Sequence, residues 1–171
     1  MAAEMRTGYL GLGSNLGDPA AHLRAAVVLM PENEIKVEAI SSTYLTEPVG
    51  EILDQPDFLN AAVRISTELE PEELLEACKE IEAERGRSFD APRHSPRPLD
   101  LDLLLLGDLE FESERLTLPH PQVTSRRFVL EPLLELDPEL RLPDGTVLSE
   151  ALAALGDGER VVRAGALRPG Q

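Results

Sequence analysis

Tryptophan is absent from this 171-residue chain, cysteine occurs once, and aromatic residues make up only 4%. A lone cysteine, Cys78, has no internal partner, so no disulfide framework can hold the fold. That usage suits a reducing compartment, and a cytoplasmic location is expected. Long apolar runs are missing as well. The longest, Ala25–Met30 and Leu103–Leu106, fall far short of the roughly 20 residues that a membrane-spanning helix needs. Met1–Gly8 lacks a basic segment leading into an apolar one, so no signal peptide is expected. Cations are scarce: 16 Lys and Arg stand against 32 Asp and Glu, a net charge of −16. Such a surface repels nucleic-acid backbones and anionic membranes, so neither is an expected partner. What remains, 42% apolar and 28% charged, is the composition of one folded domain over residues 1–171, with no oligomer required.

The few cations are unevenly placed. Residues 1–84 carry 5 basic and 17 acidic side chains, whereas residues 85–127 carry 7 of each. All seven cations are arginine: Arg85, Arg87, Arg93, Arg97, Arg115, Arg126 and Arg127. The arginine fork suits phosphate oxygens, although a solvated Arg-rich surface reads the same way.

Periodicity orders the elements. Arg6–Ser14 alternates as a strand running into GLGSNLGD, and Asp18 then Pro19 cap a helix that reaches about Met30. His22 falls mid-helix, where it is expected to be exposed. Lys36–Leu45 and Phe58–Thr67 alternate as strands, and Pro71-Glu72-Glu73 opens a second helix that Gly86 closes. Leu74, Leu75, Cys78 and Ile81 form its buried stripe, which makes Cys78 a packed core thiol. Leu99–Leu106 is a strand, with Leu109–Glu112 a short return strand. Phe128–Leu136 and Ser149–Leu155 are helices, and residues 157–171 read as a loosely ordered tail. The order β-α-β-β-α-β predicts an α+β, ferredoxin-like sandwich: an antiparallel sheet with helices on one face and an added C-terminal helical segment. Two long loops, 46–57 and 87–98, flank strands of that sheet.

The most pointed motif is PLDLDLLLLGD at 98–108. On a strand, Asp100 and Asp102 project together while Leu99, Leu101 and Leu103 face the core. Side-by-side carboxylates repel unless a cation sits between them, and hard oxygen ligands of this kind suit magnesium; a wet-faced amphipathic strand is the plain alternative. Arg93 and Arg97 lie just upstream, as charge neutralisation in phosphoryl transfer would require. Phe58 and Asn60 share a strand face, where a ring and an amide can stack on and hydrogen-bond a flat heterocycle, or simply pack. His120, held between Pro119 and Pro121, is either a phosphate donor or a surface histidine. GLGSNLGD has no following Lys-Ser/Thr and the wrong glycine spacing for a dinucleotide fingerprint, so it reads as a tight strand-to-helix turn. On these residues alone a metal-binding sensor domain and a metal-dependent phosphohydrolase stay open beside a phosphoryl-transfer enzyme.

Six motifs in order, GLGSNLGD, SSTYLTEPVG, DQPDFLNAAV, EAERGR, RHSPRPLDLDLLLLGD and LTLPHPQVTSRRFVLEPLLEL, cover roughly residues 8–148. Together they resemble the 6-hydroxymethyl-7,8-dihydropterin pyrophosphokinase family of folate biosynthesis. The resemblance implies a ferredoxin-like fold and transfer of diphosphate from MgATP to the pterin hydroxymethyl group, with release of AMP. By position, Asp100 and Asp102 match the aspartates that hold two Mg²⁺ ions on the ATP phosphates. Phe58 and Phe128 match the rings that sandwich the pterin, and Asn60, Thr46 and the backbone of Val49 match the groups that read its polar edge. Arg87, Arg97, His120 and Arg126 match the phosphate contacts, Arg93 the mobile-loop arginine, and Glu82 an acid beside the adenosine pocket. The sequence departs from the familiar bacterial form at His94 and Ser95, where that form has tryptophan and glycine. It departs again at Phe89, which stands for a loop arginine, and at Pro121, which stands for an aromatic residue.

Overall fold

In a computed structural model, which describes residues 4–46, 57–86, 98–156 and 161–167, the elements follow the expected order. They are β1 (Arg6–Ser14), α1 (Pro19–Leu29), β2 (Lys36–Ile40), β3 (Ser42–Thr46), β4 (Phe58–Thr67), α2 (Pro71–Glu84) and β5 (Asp100–Leu106). After these come β6 (Phe111–Glu112), β7 (Thr117–Leu118), α3 (Arg127–Leu136), α4 (Leu148–Ala154) and β8 (Val161–Ala166). The α1 cap is that read from the sequence, and α2 adds a capping box at Glu70 and Glu73 to the expected opening at Pro71. Asp18 Oδ1 accepts from the Ala21 amide at 3.2 Å ahead of Pro19, and the Glu73 carboxylate accepts from the Glu70 amide at 2.9 Å. Gly86, at φ +87°, ends α2 in the left-handed region.

The sheet runs β5-β1-β4-β3-β8, with β2 also paired to β4, and every pairing is antiparallel. The single strand expected over Lys36–Leu45 is broken at Ser41 into β2 and β3. There the Ser41 hydroxyl accepts from the Ala62 amide at 2.8 Å and its own amide donates to the Ala62 carbonyl at 2.9 Å. The hydroxyl therefore replaces a ladder acceptor for the Ala62 amide at the kink.

The expectation of helices on one face only is corrected. α1 and α2 pack on one face, where Leu23, Ala26, Leu74, Cys78 and Ile81 meet Leu10, Leu12, Val63 and Ile65. The opposite face carries a second apolar cluster, in which Leu130, Leu133 and Leu148 of α3 and α4 cover Tyr9, Ala62, Leu104 and Leu105. The run of leucines supplies both faces, Leu103 and Leu106 to the first and Leu104 and Leu105 to the second, and the register shift between β1 and β5 at Tyr9/Leu10 lets two successive leucines turn to the same side. A strand clad on both sides is apolar at successive positions, as Leu103–Leu106 is.

Three smaller readings are also revised. β6 pairs with β7, not with β5 as a return strand would. Residues 161–166, expected to belong to a loose tail, form an edge strand paired to β3. His22 is half-buried and accepts from Arg85 Nε at 3.1 Å. Cys78 is buried as expected, and burial pushes its thiol up to about 12. No helix among the described residues is long and apolar enough to cross a membrane.

If the α3–α4 layer is part of one cooperative core, Leu130→Ala should cost about 2–5 kcal/mol. Urea unfolding followed by far-ultraviolet circular dichroism should show that loss in a single transition.

Candidate active site

The site grows from the outer edge of β5. Among the described residues no strand pairs with that edge, and two other elements bond backbone groups on it. The buried Glu82 carboxylate of α2 accepts from the Leu101 amide at 2.7 Å, and the His120 amide donates to the Leu104 carbonyl at 2.9 Å. Closing the edge therefore delivers an acid and an imidazole beside Asp100 and Asp102.

As the alternation predicts, Leu99, Leu101 and Leu103 are buried in the α1–α2 core, and Asp100 and Asp102 share the other face. Both aspartates line two cavities at once. The first is largely apolar, lined among others by Gly11, Gly13, Thr46, Phe58, Asn60 and Phe128. The second is polar and is walled by Lys79, Glu82, Arg115, Thr117, His120 and Pro121. The carboxylate pair is thus the partition between an aromatic cleft and a charged one.

In the aromatic cleft, Asn60 Nδ2 donates to Thr46 Oγ1 at 2.8 Å, and both side chains are buried. The floor is β1, where Gly13 lies close under the Asn60 side chain. A Cβ on Gly13 would lie 2.9 Å from Asn60 Oδ1 and 3.7 Å from the Phe58 ring. Phe128 enters from the start of α3, and the Arg126 guanidinium sits 5.5 Å from its ring centroid, a cation–π distance. Arg126 lines the aromatic cleft, not the polar one.

In the polar cavity, His120 Nδ1 accepts from the Gln122 amide at 3.1 Å, which places the ring proton on Nε2. Burial, then the Arg126 charge, lowers the His120 pKa from its ordinary value, and Asp100 opposes them. At neutral pH the ring is a neutral donor at Nε2. No group of three or more His, Cys, Asp and Glu suited to a metal occurs among the described residues. The donor set is the two carboxylates, and a pair of this kind suits magnesium when phosphate and water complete the shell.

The structure brings together Thr46, Phe58, Asn60, Glu82, Asp100, Asp102, His120, Arg126 and Phe128. Val49, Arg87, Arg93 and Arg97 lie outside the described residues, as do the departures at Phe89, His94 and Ser95. The sequence reading missed Lys79 and Arg115 as lining groups. Lys79 stands one helical turn before Glu82, a spacing that could have found it. Arg115 is ion-paired with Glu76 of α2.

Two outcomes follow from this geometry. In the metal-free protein the His120 imidazole should titrate below its unperturbed value of about 6.5. Replacing Arg126 by alanine should raise that midpoint and Asp100→Asn should lower it further, each read by NMR titration. Gly13→Ala should push the Asn60 amide off Thr46 at a cost of about 1 kcal/mol, measured by urea unfolding.

The model of the 7,8-dihydro-6-hydroxymethylpterin-pyrophosphokinase family matches residues 9–138. The 2-amino-4-hydroxy-6-hydroxymethyldihydropteridine pyrophosphokinase of Pseudomonas aeruginosa is 44% identical over 147 residues, covering 85% of this chain and 90% of that protein. The enzyme of the same name from Methylorubrum extorquens is 49% identical over 152 residues, covering 88% and 94%. Among solved structures, wild-type Plasmodium falciparum HPPK-DHPS with pteroate superposes with a TM-score of 0.71 at 14% identity. That match covers 90% of this chain but 43% of the Plasmodium chain, and at such identity it bears on the fold alone. The aromatic cleft, the paired aspartates and the polar cavity all draw on residues within or beside the matched span, and the chain belongs to the 7,8-dihydro-6-hydroxymethylpterin-pyrophosphokinase family.

Proposed function

We propose that the chain, on a ferredoxin-like core elaborated by α3, α4 and β8, transfers diphosphate from ATP to 6-hydroxymethyl-7,8-dihydropterin in cytoplasmic folate biosynthesis. The observation that carries this reading is the position of Asp100 and Asp102, which line the aromatic cleft and the polar cavity together. A heterocycle in one and a polyphosphate in the other would meet at the carboxylates.

Phe58 and Phe128 stack on the pterin, and Asn60 and Thr46, with the Val49 backbone, hydrogen-bond its polar edge. Lys79, Glu82 and Arg115 line the nucleotide cavity. The neutral Nε2–H of His120 donates to a phosphate oxygen, while Arg126 stands over the pterin side of the partition. Arg87, Arg93 and Arg97 supply further cations toward the phosphates. Asp100 and Asp102 would hold two Mg²⁺ ions, which supply charge neutralisation along the polyphosphate. The pterin hydroxyl oxygen attacks the β-phosphorus in line. A bond from that oxygen to Pβ forms, the bond from Pβ to the α,β-bridging oxygen breaks, AMP leaves with the bridging oxygen, and the hydroxyl proton is lost. The residues contribute position and electrostatics, which carry most of the catalysis in phosphoryl transfer.

Incubation with ATP, magnesium and the reduced hydroxymethylpterin should yield AMP and the pterin diphosphate in equal amounts by chromatography. Release of inorganic phosphate instead, or ATP binding without turnover, would overturn the assignment. Asp100→Ala and Asp102→Ala should each lose on the order of 10³-fold in kcat/KM.

A further inference from the structure

At the far end of α3 from the cleft, the Glu135 carboxylate takes up four partners. Tyr44 Oη donates to Oε1 at 2.5 Å, while the Ser42 amide and hydroxyl donate to Oε2 at 2.9 and 3.1 Å. Arg163 of β8 approaches Oε2 at 3.6 Å and also donates to Ser42 Oγ at 2.7 Å from Nη2 and 3.0 Å from Nε. Burial alone would raise the Glu135 pKa, but the hydrogen bonds from Tyr44 and Ser42 and the Arg163 charge outweigh it and lower the value. The carboxylate is therefore ionised and saturated.

The spacing connects this cluster to the cleft. Phe128 and Glu135 lie two helical turns apart on one face of α3, a separation of about 10 Å. Ser42, Tyr44 and Thr46 lie on one face of β3, and Ser42 and Thr46 are about 13 Å apart. The two elements lie side by side with Glu135 at the Ser42–Tyr44 end and Phe128 at the Thr46 end. Pro132 interrupts α3, so the helix lacks the amide that would bond the Phe128 carbonyl. Its first turn is held less by its own ladder than by what fastens it along the sheet. Leu130 and Leu133 dock the helix, Arg64 Nη1 donates to the Leu136 carbonyl at 3.4 Å and Tyr9 Oη to Asp137 at 3.5 Å, and the Glu135 bonds are the shortest polar fastenings of that end.

We propose that Glu135 is a positioning residue for the aromatic cleft: by fastening α3 to Ser42 and Tyr44 it sets how far Phe128 stands from Phe58 and Asn60, and so sets the affinity for the flat heterocycle. The inference rests on the pterin reading of that cleft. Glu135 touches no substrate; it acts through the helix. Slippage of a single residue would move Phe128 by about 1.5 Å, enough to spoil stacking.

The test compares Glu135→Ala, Glu135→Gln and Tyr44→Phe with the native protein. Glu135→Ala should raise KM for the pterin about fivefold or more and leave the dissociation constant for MgATP within about twofold. Glu135→Gln, whose single oxygen keeps accepting from Ser42 while its amide nitrogen donates to Tyr44 Oη, should recover most of the loss. Tyr44→Phe removes one hydroxyl and should shift the pterin KM in the same direction, which carries the test if the alanine variant does not fold. A pterin KM within about twofold of native in these variants, with only thermal stability reduced, would overturn the proposal. If the native protein forms no AMP with this pterin, the functional reading has failed, and crystal structures then decide the positional claim. A Phe128 ring displaced from Asn60 by about 1 Å or more in a Glu135 variant upholds it, and an unmoved ring overturns it.

Discussion

A sheet edge must have its amides and carbonyls satisfied, and at β5 that requirement organises the whole site. Glu82 and the backbone of His120 bond the outer side of the strand whose inner side is laddered to β1. Both closing groups come from elements remote in sequence, α2 and the segment after β7. The chemistry of the polar cavity is thus attached to the backbone satisfaction of a single strand. Loss of either closing contact would open an edge and remove a lining group in the same stroke.

The second layer has a comparable double use. α3 and α4 bury the far face of the sheet, but the start of α3 also provides one wall of the aromatic cleft. β3 serves both ends of that arrangement, with Thr46 in the cleft and Ser42 and Tyr44 at the helix's other end. β8 reaches the same cluster through Arg163. Elements peripheral to the minimal β-α-β-β-α-β order therefore bear on the binding geometry.

Much of this was legible in the chain. β1 and β4 have the boundaries that alternation predicts, and the helix starts follow from Asp18-Pro19 and Pro71-Glu72-Glu73, because period and capping are local properties. The shared face of Asp100 and Asp102, and that of Phe58 and Asn60, follow from the two-residue strand repeat and stand as expected. The second layer was legible only in part: four consecutive leucines mark a strand covered on both faces, but the register shift is imposed by the partner strand and leaves no local sign. Nor was β8: Val161–Ala166 is mostly exposed and contains a glycine, so its pairing depends on β3 and not on its own pattern. Arg115 escaped because its role depends on a cavity formed by a hairpin packed on α2, a tertiary fact without a local signature, whereas Lys79 carried a sign in its one-turn spacing from Glu82.

The bare backbone beneath the cleft has an evolutionary corollary. Gly11 and Gly13 present no side chain to a bound ring, and a methyl at Gly13 collides with the Asn60 amide. The Gly13 part of the floor is consequently harder to tune, whereas a methyl at Gly11 would meet Leu104 only at 3.4 Å, and drift in ligand preference among descendants of this chain falls more readily on the walls. A search for altered selectivity, or for inhibitors that spare one lineage, belongs first at the walls near Thr46 and Phe128, because a side chain at Gly13 must displace the Asn60 amide before it fits.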